Sequence, residues 1–165
     1  MDGHRDCKFS CLPKQTKKLK GLCPVCGKKL LVGVLSRVDE LADREYGFAP
    51  RRAVPFKSII PLEEIIADVF GVGTASKKVL AMYERMLSAD SKQLTVDGRI
   101  TEFGVLLDLS QDQIAKISTP KIADAVMRVR EGRVHIEGGY DGVFGKIEIL
   151  GQAEKLGKAA QKSLF

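Results

Sequence analysis

The cysteines at positions 7, 11, 23 and 26 are the only four in a chain of 165 residues. Their spacing is Cys7-x3-Cys11-x11-Cys23-x2-Cys26. Two close pairs separated by a loop suit a tetrahedral Zn²⁺ site, because each pair turns around the metal and the loop brings one pair over the other. In Cys23-Pro24-Val25-Cys26-Gly27-Lys28, proline stiffens the knuckle and glycine permits the turn that aims backbone N–H groups at sulfur. Leu30-Leu31-Val32 then reads as a strand leaving the knuckle. The alternatives are paired disulfides and a redox Cys-x-x-Cys. Disulfides call for an oxidising compartment, and the first residues carry no apolar secretory segment. A redox motif calls for a βαβ setting, and none follows. The expectation is a structural Zn²⁺ on Cys7, Cys11, Cys23 and Cys26, with His4 left at the surface or in a leader.

The second chemical signal is charge. Lys and Arg outnumber Asp and Glu by 27 to 21, and the excess is local. Residues 1–30 balance at +6 and residues 51–60 at +3, so the basic character lies in these two stretches. Lys14, Lys17, Lys18 and Lys20 sit on the stretch between the cysteine pairs, read as a ribbon-like loop. Arg51, Arg52 and Lys57 follow on a proline-marked connector. Such clusters suit a polyanion such as nucleic acid, contacting phosphate rather than reading bases. An ordinary solvated surface is the alternative.

The elements that must position these residues follow from periodicity. At 44% hydrophobic residues the chain can build a core. It holds no apolar run near the ~20 residues of a membrane span, so a cytoplasmic protein is expected. The reading is α+β, mostly α. A small Cys₄ zinc ribbon or knuckle (1–35) and a connector (36–60) precede a helical module (61–150). A tail (151–165) ends the chain. Leu35, Val38 and Leu41 place a short helix in the connector. Pro61 suits a first helical position, with Leu62, Ile65, Ile66 and Val69 on the core face. Gly71-Val72-Gly73 breaks that helix, and a second begins near Ser76.

Helix, Gly-Val-Gly, helix is the pattern of a helix-hairpin-helix element. Its glycines permit φ > 0 and leave N–H groups outward. Lys77 and Lys78 on the next first turn would meet a phosphate. A plain helical turn with a glycine cap is the alternative. A second such unit runs from the capping box Ser110-Gln111-Asp112-Gln113 to Gly132. It contributes only Lys121 beside its turn. Val134, Ile136, Ile147 and Ile149 flank dense turn residues and predict a closing β-hairpin, with His135 facing away from the apolar positions. Tyr46-Gly47-Phe48 and Phe56-Lys57-Ser58 carry aromatics among basic residues and could stack on an extruded base. Alternatively Phe48 and Phe56 staple the zinc module to the helices.

Residues 23–48 (CPVCGKKLLVGVLSRVDELADREYGF), 55–79 (PFKSIIPLEEIIADVFGVGTASKKV) and 121–147 (KIADAVMRVREGRVHIEGGYDGVFGKI) resemble the C-terminal part of endonuclease Q. The resemblance runs over nearly the whole chain. That family consists of mainly archaeal repair enzymes that cut on the 5′ side of deaminated bases, using an N-terminal PHP domain followed by zinc and helical modules. It implies a DNA-binding, damaged-base recognition module, and partnership with a PHP nuclease domain on another chain. Two departures stand out: the family commonly has His at Ser36 and Pro at Gly138. With only His4 and His135, the chain lacks the ligands of a PHP site, so it is not expected to be catalytic alone. The other readings are a subunit of a split PHP active site and a zinc-ribbon protein of RNA or translation. Gln161, Leu164 and Phe165 look like the start of a PIP box, the peptide that binds the sliding clamp.

Overall fold

The computed structural model describes residues 1–89, 100–151 and 154. It is mostly helical, with two two-stranded sheets. The chain divides into two units: Met1–Pro55 with Ile136–Ile147, and Phe56–His135 with the described residues from 148 onward. The turn-rich hairpin therefore belongs largely to the first unit, not to the helical module. Gln161, Leu164 and Phe165 lie outside the described residues.

In the first unit, β1 (Asp2–His4) pairs antiparallel with β2 (Phe9–Cys11) across a 3₁₀ turn at Arg5–Cys7. The register sets Asp2 opposite Cys11 and His4 opposite Phe9. The stretch expected as a loop contains a helix, α1 (Pro13–Lys18). Pro13 at its start costs no hydrogen bond, since the first N–H groups of a helix have no partner within it. Leu30-Leu31-Val32 forms no strand, only single bridges such as Gly3 with Leu31. The helix foreseen in the connector is α2 (Val34–Leu41).

The apolar core of this unit is small: Cys11, Cys23 and Leu30, with Cys7, Phe9 and Leu19 against them. A buried carboxylate does what the core cannot. Asp2 is fully enclosed. The Thr16 hydroxyl donates to its Oδ2 at 2.6 Å, the Ser36 hydroxyl to the same oxygen at 2.6 Å, and the Gly33 N–H to Oδ1 at 2.7 Å. Burial works against the charged form, but the bonds from Ser36, Thr16 and Gly33 outweigh it and hold Asp2 below the usual carboxylate range. One anion thus ties β1, α1 and α2 together.

The second sheet joins β3 (His135–Glu137) to β4 (Lys146–Glu148). Asp141 and Gly142 both have positive φ, and Tyr140 and Val143 exchange backbone hydrogen bonds around them. This is a type I′ turn, which matches the twist of its flanking strands. The loop packs on β1 at Gly3, where a Cβ would lie 2.4 Å from the Tyr140 ring. His135 is exposed as expected, but so is Ile136, at 63%. The expectation of inward-facing Ile136 and Ile147 fails: the two strands span only three residues each, and both side chains are exposed.

The second unit packs two helical hairpins, α3 (Leu62–Phe70) with α4 (Lys77–Leu87) and α5 (Gln111–Ile117) with α6 (Pro120–Arg130). Leu62, Ile65, Ile66 and Val69 are fully buried with Val79, Met86, Ile114, Ile122 and Val126. Pro61 lies one residue outside α3 and caps it, its carbonyl accepting from Glu64 and Ile65. The Ser110–Gln113 capping box is formed, and Thr119 caps α6 with Pro120 at its first position. A π-helical turn at Gly104–Asp108 adds Val105 and Leu106 to the core. Arg130 donates to both their carbonyls at 2.8 Å. Glu102 accepts from the Leu62 N–H and the Tyr83 hydroxyl, linking that turn to α3 and α4.

Gly71 and Gly73 prove unequal. Gly71 has φ +65, with Val72 N–H bonded to the Ala67 carbonyl and Gly71 N–H to that of Asp68. This is a Schellman cap. Gly73 has no positive φ, and a Cβ there would meet nothing within 4 Å. The expectation that both glycines need φ > 0 is thus corrected to Gly71 alone, because the cap has one left-handed position. Gly71→Ala is expected to cost about 1–2 kcal/mol, against no loss for Gly73→Ala, read from urea midpoints.

Arg128 pairs with Glu154 at 3.0 Å, and that bond, followed by the Gly151 N–H, holds the Glu154 carboxyl at about 2. A depressed folded-state value gives stability that is complete above the ordinary carboxylate range and is lost as pH falls toward 2. Glu154→Gln is therefore expected to lower the unfolding midpoint near neutrality and to match the parent chain in strong acid. A pH-independent difference would assign the effect to packing.

Candidate metal centre and candidate nucleic-acid interface

The 3₁₀ turn carries Cys7 back beside His4 at the end of β1, and the knuckle at 23–26 brings Cys23 and Cys26 to the same place. One ligand atom from each of His4, Cys7, Cys23 and Cys26 lies within 4.8 Å of every other. Cys26 Sγ and His4 Nδ1 are 3.4 Å apart. With metal–sulfur bonds of about 2.3 Å and metal–nitrogen bonds of about 2.0–2.1 Å, adjacent ligands of a tetrahedron stand about 3.5 Å apart. Three thiols and one imidazole at this spacing fit a closed four-ligand site. The other imidazole nitrogen, Nε2, has the exposed Asp6 carboxylate 4.0 Å away, beyond hydrogen-bond distance.

The residues that the structure brings together differ from the expected set at one position: His4, not Cys11, stands with the other three cysteines. The register explains it. Cys11 stands opposite Asp2, two residues along the ribbon from His4, or roughly 7 Å away. It is buried with its sulfur 3.2 Å from Thr16 Oγ1. Thr16 in turn donates to Asp2, so Cys11 is engaged with the buried carboxylate's network rather than with His4. A readable signal was present: His4-x2-Cys7 repeats the spacing of Cys23-x2-Cys26.

Proximity splits the titration of the thiols. Hydrogen bonding with Cys26, then burial, pushes Cys7 up to about 12. Burial also opposes ionisation of Cys23, yet the backbone N–H groups of Cys26 and Val25 draw it down to about 7. A cation at the centre would take up the negative charge of all three sulfurs.

The basic candidates separate by what already engages them. Lys17 bonds Asp39 at 2.6 Å, Lys78 lies 4.3 Å over the Phe70 ring, and Lys121 donates to the Glu154 carbonyl. Lys14, Lys18, Lys20, Arg51, Arg52, Lys57 and Lys77 are exposed and pair with no described carboxylate. Val72 is exposed in its turn. Tyr46 is fully exposed beside Gly47, and Arg44 covers the half-open face of Phe48 at 4.7 Å. Phe56 is 88% exposed, and neither it nor Phe48 serves in a core. Within the second unit, Phe56, Lys57, Ser58, Leu106, Val129 and Arg130 line a cavity of about 380 Å³.

The chain thus combines a candidate four-ligand metal cluster in one unit with paired helical hairpins in the other. Residues 61–133 match the family model described as the MJ0043 C-terminal domain. The uncharacterized protein MJ0043 of Methanocaldococcus jannaschii is 32% identical over 139 residues, 84% of this chain and 16% of that protein. The uncharacterized protein YqxK of Bacillus subtilis is 28% identical over 127 residues, 76% of this chain and 27% of that protein.

Two solved structures share the fold. The lesion-specific endonuclease PfuEndoQ of Pyrococcus furiosus superposes with a TM-score of 0.72 at 30% identity, over 90% of this chain and 34% of its own. Endonuclease Q in complex with a 27-mer duplex substrate with an abasic lesion at the active site gives 0.70 at 28%, over 97% and 37%. The chain is an endonuclease Q-related module, spanning about a third of those enzymes.

Metal stoichiometry tests the ligand set. Cys11→Ser is expected to retain one metal per chain, whereas His4→Ala and Cys7→Ser lose it. Cobalt substitution with absorption spectroscopy distinguishes three thiolates and one imidazole from four thiolates.

Proposed function

We propose that this chain is the DNA-binding, damaged-base recognition module of an endonuclease Q-like repair enzyme. It holds a structural Zn²⁺ on His4, Cys7, Cys23 and Cys26, and a PHP-type nuclease body supplies the cleavage. The observation that carries this reading is the likeness, over nearly the whole chain, to endonuclease Q solved with a DNA duplex. Three sulfurs and a nitrogen favour Zn²⁺, and a closed tetrahedron leaves no position for an attacking water, which suits a structural metal. The unpaired cations Lys14, Lys18 and Lys20 flank the centre in sequence, and Arg51, Arg52, Lys57 and Lys77 extend the basic surface for phosphate. Phe56 and Ser58 at the mouth of the cavity are the candidates for an unstacked base, and Tyr46 and Phe48 are further stacking surfaces.

The test is a salt titration of binding to matched duplexes with and without uracil. Replacing Lys14, Lys18 and Lys20 together by Gln should lower the salt slope by up to about 2.7 on both duplexes. Lys17→Gln should change it less, its charge being held by Asp39. Phe56→Ala should leave the slope and the melting temperature unchanged and erase the preference for uracil. Equal binding of both duplexes by the parent chain would refute base recognition, and an unchanged slope in the triple variant would remove these lysines from the interface.

A further inference from the structure

A surface helix normally buries its apolar side and leaves its polar side to water. In α2 the arrangement is reversed. Ser36 points to the buried Asp2 carboxylate and Asp39 to Lys17, so the polar side faces the helix's own unit. Val34, Val38 and Leu41 stand at i, i+4 and i+7 on the opposite side, with Leu35 three residues before Val38, and every one is exposed; Val34 is 80% open and Leu41 67%. Leu31 and Val32, just before the helix, are exposed too. No residue of α2 is buried. The polar side cannot turn outward, because that would strip two of the donors clustered on an enclosed carboxylate's side of the unit, Ser36 and the neighbouring Gly33 N–H. The fold therefore commits these six aliphatic residues to the surface, as one stripe of the kind that marks an interaction site.

We propose that this stripe docks the remaining two thirds of an endonuclease Q-type enzyme, the part that this chain does not match. This assignment rests on the reading of the chain as a module of such an enzyme. Endonuclease Q chains are about three times as long as the region this chain covers, and that region includes α2 within a 90–97% match. Domains of one enzyme meet across interfaces of about 600–1,500 Å², and an exposed aliphatic stripe suits such a contact. An eight-residue helix is only about 12 Å long. With its two preceding residues it offers less than the roughly 800 Å² per partner of a stable free-standing complex. That size fits packing between domains of one enzyme better than a dimer of this chain.

The experiment co-expresses this chain with the tagged portion of Pyrococcus furiosus endonuclease Q that lies outside the matched region. The parent chain should co-purify with it one to one. Val38→Glu with Leu41→Glu should reduce recovery at least tenfold, and Val34→Lys, at a still more exposed position, should act in the same direction. Val38→Leu with Leu41→Met should restore recovery. All variants should keep the parent's melting curve and metal content, because no substituted residue is buried. The same variants should bind DNA with the parent's affinity and salt slope, so failure of DNA binding strikes the proposed function and failure of co-purification strikes this docking surface. Undiminished recovery of the glutamate variant, or no recovery of the parent chain, overturns the proposal. A parent chain that sediments as a dimer dissolved by Val38→Glu with Leu41→Glu also overturns it, and assigns the stripe to a second copy.

Discussion

The first unit buries three residues in its apolar core, Cys11, Cys23 and Leu30, and everything else in it is arranged around that shortage. So small a core releases too little free energy to fix a chain of this length by hydrophobic burial. Two polar devices take its place. The Asp2 carboxylate gathers donors from α1, from the entry to α2 and from α2 itself. The cluster of His4, Cys7, Cys23 and Cys26 joins the ribbon to the knuckle, and a structural Zn²⁺ in such a site contributes about 10–16 kcal/mol in isolated fingers. The two devices share a strand: Asp2 opens β1 and His4 closes it. Alternation along that strand places both on one face and leaves Gly3 on the other, bare enough for Tyr140 to lie against it.

The second unit is stabilised in the ordinary way. Its helices bury aliphatic stripes, and its ends are capped by Ser110, Thr119, Gly71 and Gly132. The polar bonds there tie neighbouring elements: Glu102 to α3 and α4, Arg130 to the π-helical turn, Asp68 to the returning chain at Ile149 and Leu150. The contrast between the units bears on function. In the second unit Lys77 opens α4, whereas the first unit carries Lys14 and Lys18 on α1 and Lys20 in the turn after it. Asp39 offsets the charge of Lys17, whereas Lys78 over the Phe70 ring and Lys121 at the Glu154 carbonyl keep their charge but are already engaged within the chain.

The reversed orientation of α2 follows from the same shortage. A unit that lacks apolar surface inside has nothing against which to pack Val34, Val38 and Leu41, and its buried anion demands the helix's polar side. The Ser36 hydroxyl bonds the anion directly. At Gly138 a Cβ would sit 2.9 Å from the Met1 side chain, so glycine there lets the hairpin loop approach the first residue closely.

The sequence by itself determined the helices with long stripes, the caps, the hairpin and three of the four residues of the candidate metal cluster. Each of these is written in local spacing: 3.6-residue periodicity, a capping box four residues long, a Cys-x2-Cys knuckle. The likeness to endonuclease Q was likewise carried by contiguous runs of residues. What local spacing could not supply was strand register and side-chain partnership. Register placed Cys11 opposite Asp2 and so exchanged it for His4 in the metal group. The backbone path made Gly71 a left-handed cap and left Gly73 unconstrained. Only the tertiary structure decided which lysines are already paired, and that the apolar side of α2 faces out. The reason is physical: a pattern along the chain tells which residues share a face, but the partner waiting on the other side, here an enclosed carboxylate from the second residue, fixes which face turns inward.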